Sequence, residues 1–225
     1  MITNAWDTFK AQNAEREAKA LRPRLRVLVG CEESGKVREA FRKRGHDAWS
    51  NDIIDSRDNS PYHLKMCVKV AIAEHGPWDI IILHPPCTAL AVSGNSTYGN
   101  GMKKNHERHK ALKWTKEVWI LACSVARKGV CLENPVGVLW AYIGVVAQYI
   151  HPYWFGHPEQ KITGLALHLL PPLLETNNVR AEMMALPKNK RQRLHYLPPS
   201  NDRAKIRSET FGGIADAFAD QWGAL

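Results

Sequence analysis

No run of apolar residues in this 225-residue chain approaches the roughly 20 needed to cross a bilayer, so no membrane span is expected. Met1–Arg24 lacks the apolar core of a signal peptide and is rich in Ala, Glu, Lys and Arg, so the expected location is the cytoplasm. Cysteines are few and unpaired in pattern: Cys31, Cys67, Cys87, Cys123 and Cys131 form no CxxC, and their number is odd. That argues against a disulfide framework and against structural zinc. His106 and His109 share a helix face but have no third ligand in reach, so no metal is expected. There is no GxGxxG dinucleotide fingerprint and no internal repeat. Acidic residues are outnumbered, 22 against 31 Lys and Arg, which leaves a net charge of +9. Such a balance favours a polyanionic partner, nucleic acid first, although a basic enzyme with no such partner carries the same charge.

The chain is long enough for one α/β domain with a substantial core. Its most informative stretch is Trp78–Cys87, in which the run Ile80–Leu83 does not alternate. Continuous apolar runs suit a strand buried on both faces of a parallel sheet. Pro85 and Pro86 cannot extend a central strand, so the chain turns and Cys87 stands just past the strand's carboxyl end. In open α/β sheets that rim collects ligands and catalytic groups. Gly129–Gly137 repeats the design and ends in Glu133, Asn134 and Pro135. The other four cysteines lie in or beside apolar runs and are read as packing residues.

The remaining pattern gives a helix over Thr3–Leu21, a strand over Leu25–Gly30, a helix over Ser34–Arg44 and a strand over Asp47–Asn51. Leu64–His75 reads as a helix or irregular crossover, Thr88–Asn105 as a long lid-like loop and His106–Arg127 as a long helix. Two strands flank the turn Phe155–Pro158, and Phe211–Trp222 closes the chain as a helix. Strands alternating with helices predict a doubly wound, mostly parallel sheet. Four parts are expected: an N-terminal helical arm (1–24), a core (25–170), a small basic segment (171–208) and a closing helix (209–225).

Val27–Lys36 reads as strand, tight turn and helix start. Gly30 and Gly35 relieve the backbone there, and amides at such a turn can approach a cofactor. Glu32 and Glu33 would repel a pyrophosphate but tolerate a cationic cofactor such as the sulfonium of S-adenosylmethionine. Asp52, at the end of the second strand, is placed to accept hydrogen bonds from ribose hydroxyls. An ordinary β-α-β turn with no cofactor fits the same residues.

Four motifs in order resemble those of the DNA (cytosine-5) methyltransferases, in a short form similar to phage and prophage members. Pro86-Cys87 is similar to the family's nucleophile motif and Glu133-Asn134 to its glutamate-asparagine motif. Phe155-Gly-His-Pro-Glu-Gln-Lys161 resembles its Tyr-Gly-x-Pro-Gln-x-Arg segment, and Thr210-Phe-Gly-Gly-Ile-Ala-Asp216 its closing Gly-rich helix. The resemblance spans about Leu25–Trp222. It implies a Rossmann-like S-adenosylmethionine-dependent methyltransferase fold with a small C-terminal extension, in a bacterial or phage-infected cell. It implies Cys87 as nucleophile, Glu133 as the acid facing cytosine N3, Asn134 as its orienting partner, and Lys161 in the catalytic set. The cofactor S-adenosylmethionine would then meet Gly30, Cys31, Glu32, Ser34, Gly35, Asp52, Ile53, Cys67, Pro85 and Gly213. Double-stranded DNA would meet Pro86, Ser93, Lys103, Lys104, Arg191, Arg193 and Arg207.

The chemistry explains the residue types. Cytosine C5 is a poor nucleophile until a thiolate adds to C6 and makes C5 enamine-like. A free thiol is only a few per cent ionised near neutral pH, so the site must activate it. A carboxyl group at N3 shares a proton as charge builds there. A base inside a duplex must flip out to meet a cysteine at the bottom of a site.

The chain departs from the family in three places. The cofactor loop lacks the aromatic and repeated Gly of Phe-x-Gly-x-Gly. Cys67 stands where an acidic residue usually contacts adenine. Only Pro171–Ser208, with eight Lys and Arg, stands where a large recognition domain is usual. Phosphate contacts position but do not specify, so a protein partner supplying specificity is one expectation. Methylation of RNA or of a free pyrimidine nucleotide, and a non-catalytic nucleic-acid-binding relative, are the alternatives.

Overall fold

A computed structural model of the protein describes residues 6–10, 13 and 23–225. Most of the expected N-terminal helix lies outside the described residues; 6–10 are helical. The strands are β1 (Arg26–Gly30), β2 (Asp47–Asp52), β3 (His63–Lys65), β4 (Ile80–Leu83), β5 (Gly129–Pro135), β6 (Gln148–Ile150) and β7 (Thr163–His168). The longer helices are α1 (Lys36–Lys43), α2 (Val68–Glu74), α4 (Asn105–Val125) and α9 (Gly212–Gln221). Shorter ones are α3 (Asn95–Tyr98), α5 (Leu139–Ile143), α6 (Arg180–Ala185), α7 (Lys188–Arg191) and α8 (Arg203–Ser208).

The strands form one seven-stranded sheet in the order β3-β2-β1-β4-β5-β7-β6. β3, β2, β1, β4 and β5 are parallel, and β7 runs antiparallel to both β5 and β6. The expected fold class therefore holds: a doubly wound, mostly parallel, Rossmann-like sheet. Successive side chains on a strand face opposite ways, and each face has its own core. Val27, Val29, Ile80, Ile82 and Cys131 join Phe41 of α1, Phe218 of α9 and Trp222 at the end of α9. Leu28, Ile81, Leu83, Val130 and Leu132 join α2 and α4 residues such as Ile72, Leu112 and Trp119. Each fully buried aliphatic side chain contributes roughly 1.5–3 kcal/mol, which is why these strands read as unbroken apolar runs.

Three expectations are corrected. The stretch from Leu64 to His75 is not one helix: His63–Lys65 adds β3 beside β2, with Ser50 opposite His63, and α2 follows only at Val68. Thr88–Asn105 is not structureless, because it carries a 3-10 turn at Val92–Gly94 and the helix α3. Cys67 is not a packing residue: it is exposed at the N-terminus of α2. Cys131 is buried as expected, and Cys31 and Cys123 are half-buried.

Candidate active site

The strand order reverses between β1 and β4, which opens a crevice at their carboxyl ends. The β1–α1 loop and the His84–Cys87 turn form its two lips. On β5 the register puts Leu132 opposite Leu83, so Glu133 stands beside His84. His84 Nδ1 lies 3.4 Å from Glu133 Oε2. Asn134 is buried and its Nδ2 donates to the Pro85 carbonyl at 3.0 Å. The expectation that Asn134 orients the Glu133 carboxyl group is not what this bond does: it ties the β5 tip to the Pro85-Pro86-Cys87 turn.

The turn is fixed on its far side as well. The Cys87 carbonyl accepts the amides of Leu90 and Ala91, both at 2.9 Å. Arg108 of α4 donates to the Ala89 carbonyl at 2.7 Å. Val92 N donates to Val136 O and Val138 N to Leu90 O, so the chain beyond Cys87 is stitched to the chain beyond β5. Cys87 is half-buried on a rigid turn.

β7 is antiparallel, so its first residues lie at the rim where β5 ends: Thr163 is opposite Pro135. That geometry delivers Lys161, two residues earlier, to the same rim. Lys161 Nζ donates to the Arg207 carbonyl at 3.0 Å, which brings the end of α8 over the site. Glu133, Lys161, Thr163, Thr210 and Phe211 line a cavity of about 10 Å³, room for one water.

Burial pushes the Cys87 thiol above its ordinary value and Glu133 adds to the rise, while Lys161 and Arg207 offset part of it. Burial also opposes ionisation of Glu133, but the His84 contact, with Lys161 and Thr163, holds its carboxyl below the ordinary range. The free protein thus pairs a neutral thiol with a carboxylate.

The expected cofactor residues divide. Asp52 is at the rim and uses Oδ1 to accept the amides of Ile53 at 2.7 Å and Ile54 at 3.4 Å. Ile53 beside it is 74% exposed, an apolar side chain turned to solvent. Burial pushes the Cys31 thiol up to about 12, with Asp52 and Cys67 adding to it, so these three groups cluster at the crevice. Glu32, by contrast, is buried and turned toward α1: it accepts the amides of Val37 at 2.7 Å and Arg38 at 3.4 Å, and the Ser34 hydroxyl at 3.3 Å. It caps a helix whose own N-cap, Gly35, offers no side chain. Gly35 has φ +71°, and a side chain there would meet the guanidinium of Arg38. A Cβ on Gly30 would come within 2.7 Å of Val68 and 2.9 Å of Leu83. Gly213 donates its amide to His157 Nε2 at 2.9 Å, and a Cβ on it would collide with the Phe155 carbonyl. These glycines serve close packing around the crevice.

Pro85 is buried and Pro86 exposed. Ser93, Lys103 and Lys104 are exposed on the segment before α4, and Lys104 lies 3.5 Å from Glu107. Arg193 Nε is 3.6 Å from the buried Glu159, whose Oε1 also accepts the Leu194 amide at 3.1 Å. Arg191 reaches the Met184 carbonyl at 3.5 Å. Residues that the sequence left unassigned also gather here. Arg57 pairs with Glu33 and Glu209, and Glu209 with Lys36, so α8 and α9 are latched onto the crevice's β1 side. Arg38, fully buried, donates to Ser50 Oγ at 2.7 Å and pairs with Asp58, holding the loop after β2.

Among the described residues, no group of three or more His, Cys, Asp and Glu is placed to hold a metal ion. No helix among them is long and apolar enough to cross a membrane.

No protein-family model and no curated protein matches the chain. Solved structures similar to it include a prophage-encoded protein of E. coli described as a DNA modification methyltransferase, at 12% identity and TM-score 0.45, covering 73% of this chain and 56% of that one. TrmN from Thermus thermophilus matches at 15% identity and TM-score 0.43, over 70% of this chain and 47% of that one. The S. pombe Dnmt2 methyltransferase matches at 14% and 0.42, over 80% and 61%. The chain spans about half the length of these proteins, and the likeness concerns the fold alone.

Proposed function

We propose that the protein is an S-adenosylmethionine-dependent DNA (cytosine-5) methyltransferase that works through a covalent Cys87 adduct. The observation that carries this reading is the convergence of three strand ends on one rim: Cys87 after β4, Glu133 on β5 and Lys161 before β7. A thiol, a carboxyl group and a cation at one spot match the demands of addition to C6 of cytosine. Cys87 supplies the nucleophile. Glu133 serves N3, and Lys161 with Arg207 favours the thiolate. The buried bond from Asn134 to Pro85 holds nucleophile and acid at a fixed spacing, which is where orientation effects arise.

The crevice fits the cofactor at the adenosine end, where the oriented Asp52 carboxylate accepts ribose hydroxyls and exposed Ile53 offers an apolar face to adenine. Cys31 and Cys67 would border it. Bound there, the cofactor supplies an electrophilic methyl group. Pro86, Ser93, Lys103, Lys104, Arg191, Arg193 and Arg207 would contact DNA, the basic ones through phosphates.

The test is bisulfite sequencing of DNA from a methylation-free host expressing the chain. Converted cytosines throughout, with wild type and Cys87→Ser indistinguishable, would overturn the reading on DNA. Assays on RNA and on free cytidine nucleotides then separate a changed substrate from an inactive relative.

A further inference from the structure

His84 takes no part in the mechanism above, yet it occupies the centre of the rim. It follows β4 directly, and its amide donates to the Gly30 carbonyl at 2.9 Å. The strand order sets β1 on one side of it and β5 on the other. Its side chain is 9% exposed. Nδ1 faces Glu133 Oε2, and Nε2 is buried with no hydrogen-bond partner among the described residues. A buried imidazole nitrogen without a partner costs about 1–3 kcal/mol, so packing alone is a poor reason for a histidine here. The titratable and charged groups facing the His84–Glu133 pair come from three other elements: Glu32 on the β1–α1 loop, Lys161 before β7 and Cys87 on the turn after β4.

We propose that His84 is a positioning residue that holds the working proton of Glu133 and returns it each cycle. This rests on the cytosine-5 reading. As Cys87 sulfur bonds to C6, its thiol proton passes to solvent, the C5–C6 π pair moves to C4–C5, and the C4–N3 pair takes a proton relayed from Nδ1–H of His84 through the Glu133 carboxylate. After C5 is methylated it loses its proton to water and the C6–S bond breaks. The N3 proton then returns through Glu133 to His84 and Cys87 regains a proton from solvent, so all three groups end as they began. Glu133, half-buried and held as a carboxylate, has no proton of its own to give, and His84 at 3.4 Å is the neighbour placed to supply one.

The experiment uses the full chain, S-adenosylmethionine and duplex DNA containing 5-fluorocytosine, on which the Cys87 adduct cannot resolve. The rate of denaturant-stable adduct formation is followed from about pH 5.5 to 9. The wild-type rate should rise with the Cys87 thiolate at acid pH and level off toward alkaline pH as the proton donor is lost. His84→Asn should be slower by about 10–100-fold near pH 8, and the gap should close to within about threefold near pH 6, where burial of Glu133, no longer offset by His84, favours its protonated form. The KM for DNA should change little. An equal slowing at every pH would mark a merely structural role and overturn the inference, as would a profile identical to wild type. His84→Gln is the second variant, with the same expectation. If neither folds by circular dichroism, the wild-type profile decides, and a rate that keeps climbing with the thiolate to about pH 9, with no levelling, overturns the proposal. A wild type that forms no adduct at any pH defeats the cytosine-5 reading itself, and this inference with it.

Discussion

The Asn134 side chain donates to the Pro85 carbonyl at 3.0 Å across the gap between two strand tips. Together with the backbone bonds of Val92 to Val136 and Val138 to Leu90, this bond sets the spacing of Cys87 and Glu133, which belong to different strands. Asn134 is buried, so Asn134→Ala leaves the Pro85 carbonyl unpaired in the interior. A cost of about 1–3 kcal/mol in stability is expected, read as a lowered midpoint in urea. Turnover should fall by about 10–100-fold beyond that loss, because the nucleophile's turn is freed. Asn134→Asp should be no better, since an ionised carboxylate has no N–H to give. Full activity in either variant, measured at a temperature where both are folded, would show that the tie is dispensable.

Cys87→Ser should abolish methyl transfer and leave the fold intact. The turn that carries Cys87 is held by backbone bonds from Leu90 and Ala91, which the substitution does not touch. Cys131→Ala and Cys123→Ala should keep measurable turnover, because Cys131 is sealed in the core and Cys123 lies on the outer helix α4. The check is tritium transfer from labelled S-adenosylmethionine, with circular dichroism as the control for folding.

Cys87 reactivity should follow its neighbours. Burial and Glu133 raise the thiol's pKa, while Lys161 and Arg207 lower it. Glu133→Gln removes a charge that opposes the thiolate, so the profile of alkylation rate against pH should move toward acid. Lys161→Met should move it toward alkali. Iodoacetamide labelling, with the modified peptide identified by mass spectrometry, gives both profiles. Shifts in the opposite sense would mean that the three side chains do not face one another in solution.

Asp52→Ala should weaken S-adenosylmethionine binding by about tenfold or more, as expected for a lost charge-assisted hydrogen bond to a hydroxyl. Calorimetry on the purified protein reads this directly. If neither S-adenosylmethionine nor its demethylated product binds the wild type at millimolar concentration, the enzyme reading yields to a nucleic-acid-binding one.

The parts legible in the sequence are those that physics writes locally. Ile80–Leu83 is apolar throughout because both faces of β4 are buried, and two prolines mark where it must stop. The same logic exposed Glu133. What stayed hidden depends on register between distant segments. The pairing of Leu83 with Leu132 brings His84 to Glu133, and nothing within either segment announces it. β3 is three residues with no periodicity to read, and it exists because β2 offers an open edge. Arg38 looks like a solvated helix charge and is fully buried, because Ser50 and Asp58 meet it from other elements. The sequence points Glu32 toward a cofactor, whereas the structure turns it to the amides of Val37 and Arg38. Its role at the start of α1 had a local cue, since Gly35 left that helix without a side-chain cap.

The last prediction concerns specificity. The segment 171–208 carries eight Lys and Arg, seven of them on three short helices, and has no large recognition fold. Some of these charges are engaged within the protein, as Arg193 is with Glu159, and Lys188 and Lys190 stand exposed on α7. Affinity for duplex DNA should therefore rest on phosphates and weaken steeply with salt, with a slope of roughly −0.9 per phosphate neutralised. Replacing Lys188 and Lys190 together by Gln should reduce that slope by up to about 1.8 and leave site preference unchanged. Each good base contact adds only about 1–3 kcal/mol of discrimination, and few side chains are placed to make one. The expected result is a short or degenerate target, sharpened only if a protein partner contributes contacts. Mapping modified cytosines across a methylation-free genome measures this. A strictly required site of about six base pairs or more, produced by this chain alone, would mean that the small basic segment reads bases rather than phosphates.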